Sequence, residues 1–155
     1  MKYAVIVAAM VLLALFDLGK VQAVQLSGAE WKSFSESNAH YWYYDLRSIE
    51  QPGKSITKVW CKSVAKNRAS IEEKIRLLKK FGGSTWGYEN YLYTLNLFEI
   101  DCPKKKHRLV MVKDYDRSEN ILESAVSQDM SWDSIPPGSI IESLYGIVCS
   151  EAQKR

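Results

Sequence analysis

One run of strand-forming residues, 91–102, constrains the fold of this chain more than any other segment. Alternate side chains of a β-strand point to opposite faces of the sheet. Here both alternating sets are mainly apolar: Leu92, Phe98, Ile100 and Cys102 on one face, and Tyr91, Tyr93, Leu95 and Leu97 on the other. A strand with two apolar faces is typical of the interior of a sheet. The run therefore predicts a central strand with other elements packed on each of its faces.

The N-terminus has the pattern of a secretory signal peptide. A short basic start precedes the nearly unbroken apolar run 3–16, and small residues occupy the −3 and −1 positions of a cleavage site between Ala23 and Val24. The apolar run of about 14 residues is shorter than the ~20 that a membrane-spanning helix needs. We expect a mature chain, 24–155, that is exported to the periplasm, the cell surface or the medium as a single domain without a transmembrane span.

Three cysteines behind an export signal predict one disulfide and one free thiol. By number alone, any of the three pairings is open. Cys102 ends the central strand, and Cys149 falls near the end of the chain, where a covering element could bring it to the strand. Cys149 is therefore the best candidate partner of Cys102, and Cys61 would be the free thiol.

Four further strands are predicted from alternating or aromatic runs that end in turn residues. These runs are 31–34, 41–44, 55–64 and 107–112. Residues 114–129 are mostly polar and are interpreted as a loop or an irregular hairpin. The 107–112 strand is expected to form an antiparallel hairpin with the central strand.

Two segments have helical spacing instead. In 70–81 apolar residues recur every three or four positions, Ser70 and Glu73 match a capping box, and glycines follow. The second helix is expected to begin after Ser139 and to end near Cys149, followed by a polar tail. The predicted fold is α+β: an antiparallel sheet of about five or six strands, with the C-terminal helix packed on it and the other helix inserted in a strand connection.

Several short motifs, in this order and spacing, resemble the surface-adhesin E family of exported bacterial proteins. They are Trp31, Tyr43-Tyr44-Asp45, Val59-Trp60, Glu99-Ile100-Asp101-Cys102, Trp132, Pro137-Gly138-Ser139 and Val148-Cys149. The resemblance implies an antiparallel sheet with a C-terminal helix, and it supports the pairing of Cys102 with Cys149. It also implies binding of host matrix or serum proteins at the cell surface. The 70–81 helix and Cys61 depart from the family pattern.

No sequence motif indicates catalysis or a cofactor. Nucleophile elbows, zinc-protease motifs and phosphate loops are absent from the sequence. Cys61 with His107 as its base is the one catalytic pair that can be drawn, but a buried inert thiol is commoner. Neither His40 nor His107 has a second ligand at helical or hairpin spacing. We therefore predict a protein that is not an enzyme and binds no metal or other cofactor.

The aromatic content points to recognition instead. The chain has five tryptophans and nine tyrosines, and aromatic residues are favoured at recognition surfaces. Trp60, between two lysines, is expected on the solvent side of its strand. The predicted binding surface consists of this strand face and the basic turn after the central strand: Lys58, Trp60, Lys62, Lys104, Lys105, Lys106 and Arg108. Trp86, Tyr88 and Tyr91 form a second group, for which core packing is favoured.

The sequence thus predicts a non-catalytic, exported, adhesin-like domain that binds another protein, such as an extracellular or matrix protein. An aromatic face or an uncovered sheet edge would make the contact, and a second copy could pair through the same edge. The alternative is a periplasmic accessory module that binds a small ligand or an acidic partner without adhesion. A net charge of +3 gives no indication of nucleic-acid binding.

Overall fold

The computed structural model of the protein describes residues 28–154, so the predicted signal peptide and the cleavage site at Ala23 and Val24 lie outside the described residues. Six strands pair antiparallel in chain order to form one sheet. They are β1 (Trp31–Glu36), β2 (His40–Asp45), β3 (Ile56–Ala65), β4 (Tyr91–Asp101), β5 (Lys106–Asp116) and β6 (Ile121–Val126). A short β7 (Asp133–Ser134) pairs with the start of β5. Helix α1 (Arg68–Lys80) joins β3 to β4, and α2 (Ile140–Gln153) follows β7.

The central strand is confirmed as β4, which lies between β3 and β5 and pairs with both over most of its length. The α+β class, the antiparallel sheet and the two helices are confirmed with it. The predicted disulfide is also present: Cys102, just beyond β4, is bonded to Cys149 in α2, with Cα atoms 5.8 Å apart. The bond fixes α2 to the end of the central strand.

Both helices pack on the same face of the sheet. Helix α2 buries Leu144 and Val148 against Val59, Cys61 and Ile100 in the main core. Helix α1 covers the other end of this face, where Lys74 Nζ lies 2.8 Å from Asp114 Oδ2. Asp114 pairs across the strands with Thr94, and Thr94 pairs with Ser63, two residues from Cys61. Because directly paired residues share a face, the two helices lie side by side.

Because both helices pack on one face of the sheet, the expectation that elements pack on both faces of β4 is wrong. In the part of the chain that the structure describes, neither helix packs on the second face. Leu95 is nevertheless only 6% exposed there. Its neighbours across the strands are Lys62 and Lys113, whose long aliphatic chains can cover an apolar side chain. Lysine stems and aromatic rings therefore take the place of a packed element.

The helix boundaries differ from the predicted ones. Asn67, not Ser70, caps α1, because Asn67 Oδ1 accepts a hydrogen bond from Ser70 N at 3.1 Å. The Ser70 hydroxyl instead donates to the carbonyl oxygen of Ala39 at 2.7 Å. Ser139 caps α2 as predicted, accepting from Glu142 N at 3.2 Å. The helix continues past Cys149 to Gln153, so the expected polar tail from residue 150 is wrong.

The segment 114–129 is predicted to be a loop or an irregular hairpin, and the structure has the hairpin: β5 extends to Asp116, and β6 pairs with it antiparallel with a register shift between Asp114 and Tyr115. Asp114 can lie in a buried strand because it accepts hydrogen bonds from Tyr88 and Thr94. One further residue breaks the simple alternation in β4. The pairing with β5 skips Leu92, and Tyr91 therefore packs with Tyr88 in the core under α1, away from Tyr93.

Candidate binding surface

The face of the sheet opposite both helices collects aromatic side chains and two lysines. We call this surface the open face and define it by Trp31, Tyr43, Trp60, Lys62, Tyr93, Leu97, Lys113 and Tyr115. It arises from strict alternation in β3, where Thr57, Val59 and Cys61 are buried under the helices. Trp60 consequently lies on the open face and is half-buried.

Lys62 lies at the centre of a group of three aromatic rings. Its Nζ atom is 4.3 Å from the centroid of the Trp31 ring, 5.6 Å from that of Tyr93 and 5.7 Å from that of Tyr43. Within residues 28–154, no carboxylate oxygen lies within the 4.0 Å of an ion pair. Burial lowers the pKa of Lys62, and the negative charge of Glu119 opposes that shift in part. The ammonium group is thus half-desolvated without a direct counter-ion.

Lys113 is the second cation of the open face. Its side chain is only 9% exposed, and its Nζ atom lies 6.0 Å from the centroid of the Trp60 ring. It too has no ion pair with a described carboxylate. Lys62 and Lys113 pair with Leu95 from opposite sides. Their Cα atoms are therefore two strand spacings, about 10 Å, apart.

Two tyrosines border this lysine pair. The rings of Tyr93 and Tyr115 stack with their centroids 4.8 Å apart and 17° between their planes. Burial raises the pKa of Tyr93 to about 12, and it raises the pKa of Tyr115 as well. Both phenols are therefore neutral at physiological pH and can donate a hydrogen bond to a bound group.

Other cations of the predicted binding surface are already neutralised. Arg108 Nη2 lies 2.6 Å from Glu99 Oε2, and Lys58 Nζ lies 3.7 Å from Glu99 Oε1. The Arg108 guanidinium also lies 4.5 Å from the centroid of the Trp132 ring and donates to the carbonyl oxygen of Met130 at 3.1 Å. Lys58 and Arg108 thus form one structural cluster beside the open face.

The predicted basic turn is a separate region at the end of the β4–β5 hairpin. Lys104 pairs with Asp101 at 3.5 Å, and Lys105 pairs with Glu142 of α2 at 2.7 Å. Lys106 begins β5 without an ion pair to any carboxylate in the described segment. The structure therefore brings Trp60 and Lys62 together but does not place the Lys104–Lys106 turn with them.

Sequence reasoning missed Lys113 and underrated Trp86. Lys113 follows the predicted end of its strand, so nothing in the pattern assigned it to a face. Trp86, in the connection from α1 to β4, is 86% exposed, and Phe81 in the same connection is 77% exposed. Tyr88 and Tyr91 are buried, as the core interpretation favoured. The signal for Trp86 was its position among Gly82, Gly83 and Gly87, residues typical of an exposed loop.

The hypothetical catalytic pair lies on the helix-covered face. Cys61 and His107 line one cavity of about 300 Å³ between α2 and the sheet, together with Trp42, Phe98 and Ile141. The Cys61 side chain has no exposed surface, and burial strongly raises the pKa of its thiol. A protonated thiol is a poor nucleophile, so this arrangement lacks an activated sulfur. In the 28–154 segment, no group of three or more His, Cys, Asp or Glu side chains is placed to hold a metal ion.

This chain is similar to a known protein family and to solved structures. The model of a family described as surface-adhesin protein E matches residues 31–150. A solved structure of protein E from non-typeable Haemophilus influenzae is similar at 10% identity and a TM-score of 0.49, covering 80% of this chain and 78% of that chain. A second Haemophilus influenzae protein E structure is similar at 10% identity and a TM-score of 0.45, covering 82% and 96%. No curated protein matches this chain at a significant level.

Proposed function

The chain belongs to the surface-adhesin protein E family, and from this we propose that it is an exported, non-catalytic recognition domain that binds another protein through the open face. One observation carries the proposal. Aromatic rings from β1, β2 and β4 surround Lys62 of β3, which has no ion pair among residues 28–154, on the face of the sheet that neither helix covers. Tyrosine and tryptophan are the residues that most often dominate binding energy.

The rigidity of the surface supports the same proposal. Each ring of the open face projects from a strand with antiparallel neighbours, and β3 and β4 are fixed on both sides by pairing. A partner that docks on such a face need not order flexible loops, so less binding energy is lost to entropy. Half-buried Trp60 and Leu97 pair directly and provide an apolar centre. The predicted recognition at Trp60 thus extends across four strands.

The partner class is an extracellular or matrix protein, and the expected location is the cell surface. The family description supports display outside the cell, and none of the helices between residues 28 and 154 is long and apolar enough to cross a membrane. Protease digestion of the protein on intact cells, compared with cells whose envelope has been opened, distinguishes surface display from a periplasmic location.

A second copy of the chain could use a sheet edge instead. The β1 edge has an irregular register between Ser33 and Ser35 and carries Lys32 and Glu36, features that discourage strand addition. The opposite edge strand, β6, is mostly exposed and includes Val126. If the protein pairs through an edge, we expect β6 to be the strand involved.

The proposal is tested with the mature chain, 24–155, and immobilised extracellular matrix and serum proteins. Trp60→Ala should weaken binding by about tenfold or more, because a central aromatic residue is removed. Trp86→Ala is the matched control. It removes the same type of side chain from an exposed position in the connection between α1 and β4, outside the open face, and should leave affinity unchanged. Circular dichroism must show that both variants remain folded. Unchanged binding by Trp60→Ala, with a loss for Trp86→Ala, would contradict the proposal.

A further inference from the structure

We propose that Lys62 and Lys113 bind carboxylate groups of an acidic peptide segment on the protein partner. The inference rests on the proposed function and specifies the chemical class of the segment that the partner presents. It starts from an asymmetry among the cations of the protein. Four other half-buried cations each have a carboxylate close by, namely Lys58, Lys66, Lys74 and Arg108, while half-buried Lys106, at the hairpin end of β5, has none among residues 28–154. Lys62 and Lys113, the two at the centre of the open face, have none among residues 28–154.

An ammonium group that is half-desolvated without an ion pair is unfavourable, because it has lost part of its hydration. Cation–π attraction offsets part of this cost, between Lys62 and the Trp31 ring and between Lys113 and the Trp60 ring. A carboxylate arriving from a partner would supply the missing opposite charge. It would do so beside half-buried aromatic rings that reduce the contact of the ammonium group with water, where charge pairs are stronger than at an open surface.

The spacing of the two lysines fits a peptide. Both pair with Leu95, so their Cα atoms are two strand spacings, about 10 Å, apart, and their flexible side chains start from that distance. Side chains two to four residues apart on an extended peptide are separated by about 7–13 Å, a range that includes this distance. Leu95 and Leu97 provide an apolar floor between the lysines, and Tyr93 and Tyr115 offer neutral hydroxyl groups at one end.

The remaining charges favour a protein over a highly sulfated glycan. Glu99 lies on the same side of β4 as Leu95 and Leu97. The negative charge of Glu119 interacts electrostatically with three residues of the open face: Lys62, Tyr93 and Tyr115. A ligand with dense negative charge would bring some of that charge close to these carboxylates. An acidic peptide can place individual carboxylates at the lysines and apolar groups between them.

The test uses a synthetic peptide with glutamate at alternate positions, titrated into the mature chain by calorimetry. The control ligand is the same peptide with glutamine at those positions. The test variant is K62M/K113M, in which methionine keeps an unbranched side chain only one atom shorter, without its charge. The matched control is K79M/K80M, which removes two charges from the exposed last turn of α1. Heparin serves as the sulfated-glycan probe.

We expect the glutamate peptide to bind, K62M/K113M to weaken that binding by about tenfold or more, and K79M/K80M to change it by less than about threefold. Rising salt should weaken the wild-type complex. Equal binding of the glutamine peptide, or equal loss in both double variants, would overturn the inference. So would lysine-dependent binding of heparin without binding of the peptide. Partner binding that is lost in Trp60→Ala but intact in K62M/K113M would refute this inference alone, whereas insensitivity to both refutes the proposed function.

Discussion

The ammonium nitrogen of Lys62 lies 4.3 Å from the centre of the Trp31 ring, although β2 separates the strands that carry them. The contact is made across the open face because both side chains leave the sheet on the side without helices. It shows that this face is organised by side chains that reach over a neighbouring strand. The stability of the domain should therefore respond to the charge on Lys62.

Lys62→Met should be at least as stable as the wild type at about pH 7, because burial lowers the pKa of the lysine and so disfavours its charged form in the folded state. As the pH rises above the folded pKa, the lysine loses its charge in the folded state, and the disadvantage decreases until it is gone above the pKa of the unfolded chain. The difference in unfolding free energy between variant and wild type should thus shrink from about pH 7 to about pH 10. Urea denaturation at the two pH values measures it, and a difference that grows with pH is the contrary result.

Asp114 is expected to be essential for the packing of α1. Its carboxylate accepts a hydrogen bond from Tyr88 Oη at 2.6 Å, another from Thr94 Oγ1, and lies 2.8 Å from Lys74 Nζ. Asp114→Ala leaves these groups without their partner and should lower the unfolding free energy by about 2–4 kcal/mol. Glu89→Ala, at an exposed position, is the control. A loss of less than about 1 kcal/mol for Asp114→Ala would show that water replaces the carboxylate.

The disulfide between Cys102 and Cys149 should contribute substantially to stability. It closes a separation of 47 residues, for which the chain-entropy model gives about 4 kcal/mol as an upper value. The double variant C102S/C149S should lose about 2–4 kcal/mol in urea denaturation and keep the spectrum of the sheet. An unchanged unfolding midpoint would mean that packing of α2 alone holds the helix in place.

Cys61 should be chemically silent in the folded protein. Its side chain is buried, and the raised pKa of the thiol keeps it protonated at neutral pH. A thiol-specific chromogenic reagent should react with it only after denaturant unfolds the chain. Rapid labelling of the native protein would instead revive the hypothesis of Cys61 as a nucleophile.

The sequence predicted those elements whose signals are local and strong. Alternation marks β4 and β3, and Ser139 marks the start of α2, because each depends on a few adjacent residues. Residue patterns could not decide between Asn67 and Ser70 as the cap of α1, since either side chain is suited to that position. The β6 strand is mostly exposed, and its apolar residues come in adjacent pairs on either side of Glu123 and Ser124, so it lacks the apolar alternation that identifies a strand.

The binding surface was only partly predictable for a different reason. Trp60 and Lys62 follow from the alternation within β3. The pairing that skips Leu92 changes the face of Tyr91, and such irregularities depend on neighbouring strands rather than on local sequence. Lys113 joins Lys62 only through the register of three strands. Ion pairs such as that of Lys105 with Glu142 also depend on the tertiary fold, so the sequence could not show which lysines remain unpaired.

Hydroxyl-radical footprinting of the mature chain, with and without a bound extracellular protein, tests the central claim most directly. It reports the solvent accessibility of individual aromatic side chains by mass spectrometry. If the open face is the recognition surface, oxidation of Trp60 and Tyr93 should fall severalfold in the complex while that of Trp86 stays unchanged. Protection of Trp86 and Phe81 with unchanged oxidation of Trp60 would contradict the claim and place recognition in the connection between α1 and β4.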